Sequence, residues 1–330
     1  MAEYINIRGQ SIEVVASDPA NPTLGQIWYN STSNTLKGTS VTTTGSFSSG
    51  SNLSTARRVV GSNGGESVNQ ALCIGGYVGP TASNGVEEYN GTAWSAGTNI
   101  PTGTYGGACC GTQTAALFGL GSDLVSPFLN TSFEYDGATW TAGGSLTVSR
   151  VNTNGGAGTQ TAGLFFGGGA ATKSNSTEEY DGTSWTTSGN LTIARDYPSG
   201  AGLQTAALCV AGSPLPTAGI TPELYNGATW TSISNLPGTR GEQPGLFGST
   251  TSAVTAGGNN GAYMSSADIY DGTSWAATGS LLAIRGYCGG TGANSSSGII
   301  YAGYNGPSNL NSSEIYTGAG APTTVTITAS

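Results

Sequence analysis

The sequence predicts an all-β repeat protein, on three observations. The first is a six-residue motif, Tyr180-Asp181-Gly182-Thr183-Ser184-Trp185, which returns as Tyr89…Trp94, Tyr135…Trp140, Tyr225…Trp230 and Tyr270…Trp275. Its five tryptophans stand 46, 45, 45 and 45 residues apart, and a fixed period of this length sets the architecture before any other feature. The second is the Asn-Gly or Asp-Gly step inside the motif. It favours the φ > 0 turns of tight hairpins, so a tyrosine strand should pair with the tryptophan strand that follows it. The third is an apolar segment closing in glycine, found six times and beginning near Ala71, Ala115, Ala162, Ala206, Ser252 and Gly298. Four short strands per period make one blade of a β-propeller, so six such segments predict six blades. A seven-bladed ring, with the N-terminal hairpin and the tail forming a reduced seventh blade, is the alternative.

Residues 1–38 precede the repeat. Asp18-Pro19-Ala20-Asn21-Pro22 is a turn-rich break, because two prolines fix φ and remove backbone donors. Gln26–Asn30 and Thr35–Lys37 then flank the polar turn Ser31–Asn34, which reads as a β-hairpin. From about Leu53 every repeat runs alike. A Leu/Arg segment and a Gly-rich turn lead to the apolar strand, and a variable loop leads to an acid-Tyr strand, the turn and the tryptophan strand. The last copy, Tyr316-Thr317-Gly318, has no tryptophan behind it. The segment Thr39–Thr44 has the character of a tryptophan-type strand with no repeat before it. It is therefore predicted to complete the last blade and remove an open edge. Residues 39–318 form the propeller in this reading. The tail 319–330 alternates with period 2 over Thr323–Thr328, which suits a strand beside the hairpin.

Composition narrows function. Glycine is 55 of 330 residues and charged residues are 8%, which with aromatics on a fixed schedule indicates a folded Gly-rich β protein. The net charge of −9, from 18 acids and 9 bases, disfavours nucleic acid, which demands clustered lysine and arginine. No apolar run approaches the ~18 residues of a membrane helix, and the N-terminus lacks the basic-then-apolar pattern of a secretory leader, so neither membrane insertion nor secretion is expected. There is no histidine. This removes Ser-His-Asp and Cys-His nucleophile systems and histidine-containing metal sites. Cys73 and Cys209 occupy positions filled by Phe or Val in other repeats and read as small buried hydrophobes. Cys109, Cys110 and Cys288 have no CxxC spacing, so no metal site and no cofactor is expected. The turn carboxylates Asp136, Asp181 and Asp271 alternate with Asn90 and Asn226. A turn tolerates that swap and a catalytic acid does not, so the reading is non-enzymatic.

Arginines recur at Arg58, Arg150, Arg195, Arg240 and Arg285. Acids follow each by 28 or 29 residues, at Glu87, Glu178, Glu223, Asp268 and Glu314. The second repeat has Thr104 and Phe133 instead and so loses both partners together. A mutually dependent pair predicts such joint loss, since a buried charge left alone is costly. These are expected to be structural bridges, with an arginine ring binding an anion near the axis as the other reading. Because Tyr89, Trp94, Tyr135, Trp140, Tyr180, Trp185, Tyr225, Trp230, Tyr270 and Trp275 recur from repeat to repeat, they are expected to pack between blades. Recognition is expected where the repeat is broken, in the loops between second and third strands. The ligand candidates there are Tyr77, Phe128, Tyr263 and Tyr304.

Two resemblances extend this reading. Gln26-Ile27-Trp28-Tyr29-Asn30 followed by Asn34-Thr35-Leu36-Lys37 resembles a hairpin of bacteriophage tail-fibre and other virion proteins, over residues 24–41. The Arg segment, the Gly pair (Gly75-Gly76, Gly167-Gly168, Gly257-Gly258) and the acid-x-Tyr-Asp-Gly…Trp order resemble kelch repeats, although the pair weakens to Gly119-Leu120-Gly121, Ala211-Gly212 and Ala302-Gly303. Together they imply a non-enzymatic phage structural protein, a tail appendage or a head decoration, located on the virion. Residues 1–38, with Trp28 and Tyr29, would dock on other virion proteins, and the loops could meet a host surface glycan. A homo-oligomer is compatible with this reading. A stand-alone carbohydrate-binding lectin and a carboxylate-dependent glycan hydrolase are the alternatives.

Overall fold

The structure is a computed structural model that describes residues 12–20, 26–41, 44–64, 67–213, 221–320 and 322–327. The described residues contain strands and no helix, and so no helix long and apolar enough to cross a membrane. Seven four-stranded sheets account for the strands, an all-β, propeller-like repeat architecture. Contacts divide the chain into two units, one of Met1–Gly45 with Gly318–Ser330 and one of Ser46–Thr317.

The first unit is a single sheet in the order Glu13–Val15, Ile27–Asn30, Thr35–Val41, Pro322–Thr326. Ile27–Asn30 and Thr35–Val41 form the antiparallel hairpin, and its turn is held by Asn30 Oδ1, which accepts from the Thr32 and Ser33 amides at 3.1 and 3.0 Å. The tail strand lies antiparallel beside Thr35–Val41, with Thr324 opposite Thr39. Asp18 holds the unit together. Its carboxylate accepts from Lys37 Nζ at 2.6 Å, Asn30 Nδ2 at 2.7 Å and Trp28 Nε1 at 3.1 Å. These donors, Lys37 first, lower its pKa to about 2.

The second unit has six sheets. Sheet 1 comprises Gly61–Ser62, Leu72–Ile74, Val86–Tyr89 and Trp94–Ala96. Sheets 2 to 5 repeat this order, from first strands Ala108–Thr112, Gly155–Thr159, Ser199–Leu203 and Gly245–Ser249 to last strands Trp140–Ala142, Trp185–Thr187, Trp230–Ser232 and Trp275–Thr278. Sheet 6 takes Gly289–Asn294, Ser297–Tyr301 and Ser313–Thr317, and its fourth strand is Ser46–Ser49 from the other end of the chain.

That fourth strand corrects the expectation for Thr39–Thr44. Thr35–Val41 belongs to the small sheet, and Thr42 and Thr43 lie outside the described residues. The reason is aromatic. Sheets 1 to 5 each set a tyrosine opposite a tryptophan, as Tyr180 opposite Trp185, and Thr39–Thr44 has no ring to offer. Ser46–Ser49 places Phe47 opposite Tyr316, with ring centroids 4.9 Å apart.

The core lies between sheets, not within one. Leu164 and Phe166 of the third repeat pack on Leu191, Cys209, Tyr225 and Trp230 of the fourth. Equivalent clusters join each consecutive pair, and Ile299 and Tyr301 of sheet 6 pack on Val60, Cys73 and Tyr89 of sheet 1. All five cysteines are buried and unpaired, and burial pushes the Cys73, Cys110 and Cys209 thiols up to about 12.

The Gly pair after each second strand has a backbone origin. The first position is left-handed in all six repeats, at φ 60 to 74° for the glycines, 65° for Leu120, 60° for Ala211 and 57° for Ala302. Other residues reach this region at moderate cost. The second position has φ from 85 to 107° and is glycine six times, because a Cβ there is strained and at Gly121 would come within 2.6 Å of Tyr105 O.

Candidate functional site

The arginine–acid positions form buried pairs. Arg150–Glu178 is 2.8 Å, Arg240–Asp268 2.6 Å and Arg285–Glu314 2.7 Å, and Arg195 meets Glu223 in the same way. Each arginine also ties down the left-handed turn. Arg150 Nη1 donates to Gly167 O and Ser176 O, both at 2.9 Å. The second carboxylate oxygen caps the segment leading to the arginine, as Glu178 Oε2 accepts from Thr147 N at 2.6 Å. Thr104 and Phe133 in sheet 2 form no such pair. With their Nη donors directed at the protein's own carbonyls and carboxylates and their side chains buried, these groups leave no ring of free cations.

In the first repeat the partner of Glu87 is Arg57, at 2.5 Å, and not Arg58. Successive residues of extended backbone face opposite ways. The repeat has Arg-Arg here, and a one-residue shift turns one guanidinium into the core and the other out of it. Among the described residues Arg58 is the one arginine without a carboxylate partner. Its guanidinium lies 4.8 Å from the Tyr77 ring centroid and 4.2 Å from that of Tyr304.

Around Arg58 the rings form a continuous cluster. Tyr304 meets Tyr263 edge-on at 5.4 Å, Tyr263 meets Tyr287 at 6.3 Å, Tyr287 meets Tyr197 at 5.2 Å, and Tyr77 meets Tyr105 at 5.7 Å. All six tyrosines are half-buried. Tyr287 donates its hydroxyl to Glu242 Oε2. Burial raises the pKa of Tyr197 and Tyr287, and Glu242 adds to the rise at both. Nearby, Lys173 Nζ donates to Ser213 Oγ at 2.7 Å and stands 3.7 Å from Asp196. Burial raises the Asp196 carboxyl pKa against the attraction of Lys173.

This cluster is mounted on strained backbone. Val59, Gly106, Asn152, Tyr197, Gln243 and Tyr287, one per repeat, have φ of 54, 70, 55, 54, 36 and 55°. Hydrogen bonds link this segment from sheet to sheet: Gly106 N to Val59 O, Thr153 N to Gly106 O, Tyr197 N to Asn152 O, Gln243 N to Tyr197 O, and Val59 N to Tyr287 O, at 2.7–3.0 Å. Non-glycine residues in this region cost about 1–3 kcal/mol each and persist where the surroundings impose them.

Of the residues singled out in the sequence, Tyr77, Tyr263 and Tyr304 come together here. Phe128 makes no ring contact with them, and residues 214–220 of the fourth variable loop lie outside the described residues. Tyr105, Tyr197, Glu242 and Tyr287 were not foreseen. The signal was present one or two places after the repeated arginine, where the repeat dissolves into Val59, Tyr105, Asn152, Tyr197, Glu242 and Tyr287. The motif tyrosines and tryptophans are elsewhere, between sheets. Tyr135 OH donates to Glu88 Oε1 of the preceding sheet at 2.7 Å, and Tyr225 OH to Glu179 Oε1 at 2.5 Å. Turn residues Asp181 and Asn226 use Oδ1 identically, accepting two backbone amides at 2.8–3.0 Å. In the N-terminal sheet Trp28 is fully buried and serves its interior, while Tyr29 stays partly exposed.

Chemically the cluster offers ring faces, hydroxyl donors and one guanidinium. Among the described residues no group of histidine, cysteine, aspartate or glutamate could hold a metal ion. No protein-family model matches the chain, and no curated protein is found to be similar to it.

Proposed function

We propose that residues 46–317 form a six-bladed, kelch-like propeller closed by the Ser46–Ser49 strand, and that the chain is a non-enzymatic attachment component of a bacteriophage particle. Closure is supported by the core cluster joining sheets 6 and 1. The N-terminal sheet is the dock on other virion proteins, with the hairpin of residues 24–41 as its support, and the propeller meets a glycan of the host surface. One observation carries the binding role. Where the repeat breaks, Arg58 lies over Tyr77 and Tyr304 at 4.8 and 4.2 Å with four more tyrosines around it. Half-buried tyrosines present an apolar face and a polar tip at low entropic cost, and an unpaired guanidinium on aromatic faces is preorganised for an anionic or polar group. A saccharide matches both, having C–H faces and hydroxyl edges. Net charge argues against polyphosphates.

A glycan array probed with the parent, Arg58→Ala and Tyr304→Ala tests the site. Binding lost in both variants is the expected outcome, and equal signals from all three would refute it. Mass spectrometry of intact particles, with and without residues 1–38, tests the dock. A chain absent from particles, or incorporated equally well without the arm, removes the virion assignment.

A further inference from the structure

The seam between sheets 4 and 5 is built differently from the three before it. In those, a glutamine on the turn between first and second strands reaches into the preceding sheet. Gln113 Nε2 donates to Ala71 O at 3.2 Å and Tyr89 O at 3.0 Å. Gln160 Nε2 does the same to Ala116 O and Tyr135 O at 3.3 and 2.7 Å, and Gln204 Nε2 to Gly163 O and Tyr180 O at 3.0 and 2.7 Å. The corresponding residue of sheet 5 is Thr250, too short to reach Tyr225 O. Two further links vanish at this seam. Leu224 replaces the glutamates (Glu88, Glu134, Glu179) that receive a tyrosine hydroxyl at the other three. Pro222 stands where Ser132 and Thr177 accept the next tryptophan's Nε1, and Trp275 Nε1 is buried without a partner. The sheet 5–6 seam, in contrast, is spanned by Ser295 N donating to Ser252 Oγ at 3.0 Å.

An open cleft of about 490 Å³ occupies the seam, lined by Thr205, Ala206, Leu224, Tyr225, Thr250 and Thr251 among others, with no charged side chain. Its size is that of a small-ligand site, and its chemistry is defined by the side chain it lacks. We propose that this cleft binds an N-acetylated sugar whose acetamido N–H donates to the Tyr225 carbonyl in place of the absent glutamine amide. The acetyl methyl lies on Leu224 and Ala206, and sugar hydroxyls meet the threonines. Hydroxyl-rich, uncharged and open walls favour a sugar over a peptide, which would bring extended backbone and charge. The site is independent of Arg58 and its tyrosines.

The test is NMR titration of the full chain with N-acetylglucosamine, with glucosamine as the arm lacking the acetyl group and a glutamine-containing tripeptide as the peptide arm. Shifts at the Leu224, Tyr225 and Thr250 amides with N-acetylglucosamine alone are expected. Thr250→Gln restores the side chain of the other seams; it should fold, melt no lower than the parent, and bind the sugar about tenfold or more weakly, the worth of the displaced hydrogen bonds. Should Thr250→Gln fail to fold, Leu224→Glu fills the same cleft and must show the same loss. Arg58→Ala must leave these shifts unchanged, which separates this site from the tyrosine cluster. Equal response to glucosamine, response to the tripeptide only, or undiminished binding in the filled variants overturns the proposal.

Discussion

Replacing Arg150 with methionine isolates what one buried pair contributes. Met keeps most of the aliphatic stem, so little cavity forms, but three hydrogen bonds disappear, to Gly167 O, Ser176 O and Glu178 Oε1. Glu178, fully buried, is left with only Thr147 N and Oγ1 as donors. Removing one member of a buried pair costs about 3–5 kcal/mol, because the other charge stays desolvated. For a chain of this size that corresponds to a fall in melting temperature of roughly 4–7 °C. Arg150→Met with Glu178→Leu should recover much of the loss, since an apolar pair of similar volume can be neutral. Sheet 2, with Thr104 and Phe133, already has such an uncharged arrangement. Circular dichroism melts and urea unfolding of parent, single and double variants decide the matter. A single variant within ~1 kcal/mol of the parent, or a double variant no better than the single, would refute the reasoning.

Two other outcomes follow from burial and charge. All five thiols should resist a disulfide reagent in the native chain and react together once denaturant is added, because burial holds Cys73, Cys110 and Cys209 near 12 and Cys288 near 11 and only thiolate reacts; a thiol titrating rapidly at neutral pH contradicts this. Asp18 has its carboxyl lowered from 3.8 to about 2, so its support of the N-terminal sheet is present above pH 3.8 and is lost as pH falls through about 2. An NMR titration placing Asp18 near 4, or Asp18→Asn leaving the acid behaviour of Trp28 fluorescence unaltered, would contradict the Asp18 hub.

What could be read in advance was whatever repeats. The Tyr…Trp strands, their Asp/Asn turn and the six glycine-closed strands depend on local backbone chemistry that recurs at a fixed interval, so each copy corroborates the next. Singular features were harder. Phe47 does the tryptophan's work with a different ring in a segment bearing no other mark of the repeat, so residue pattern alone points to a strand a few residues before the true fourth strand of sheet 6. Arg57 and Arg58 are neighbours, and only the face each takes tells the core guanidinium from the outward one. Tyr105, Tyr197 and Tyr287 sit in stretches where the repeat has dissolved, and their meeting depends on backbone turning left-handed at Val59, Tyr197 and Tyr287, a conformation their residue types argue against.

The strand that completes sheet 6 is made among the first fifty residues, yet its partner is made near the last. Ser313 Oγ bonds Ser51 O across 262 residues of sequence. On the ribosome, Ser46–Ser49 therefore waits through synthesis of five sheets with its edge unpaired, while Phe47 has no tyrosine to cover. Such an edge is a template for another nascent chain's Ser313–Thr317. Dense polysomes would favour exchanged dimers, and slow, dilute expression would favour monomers. The yield of well-formed protein should then depend on how crowded the translating chains are, more than on the final stability of the fold.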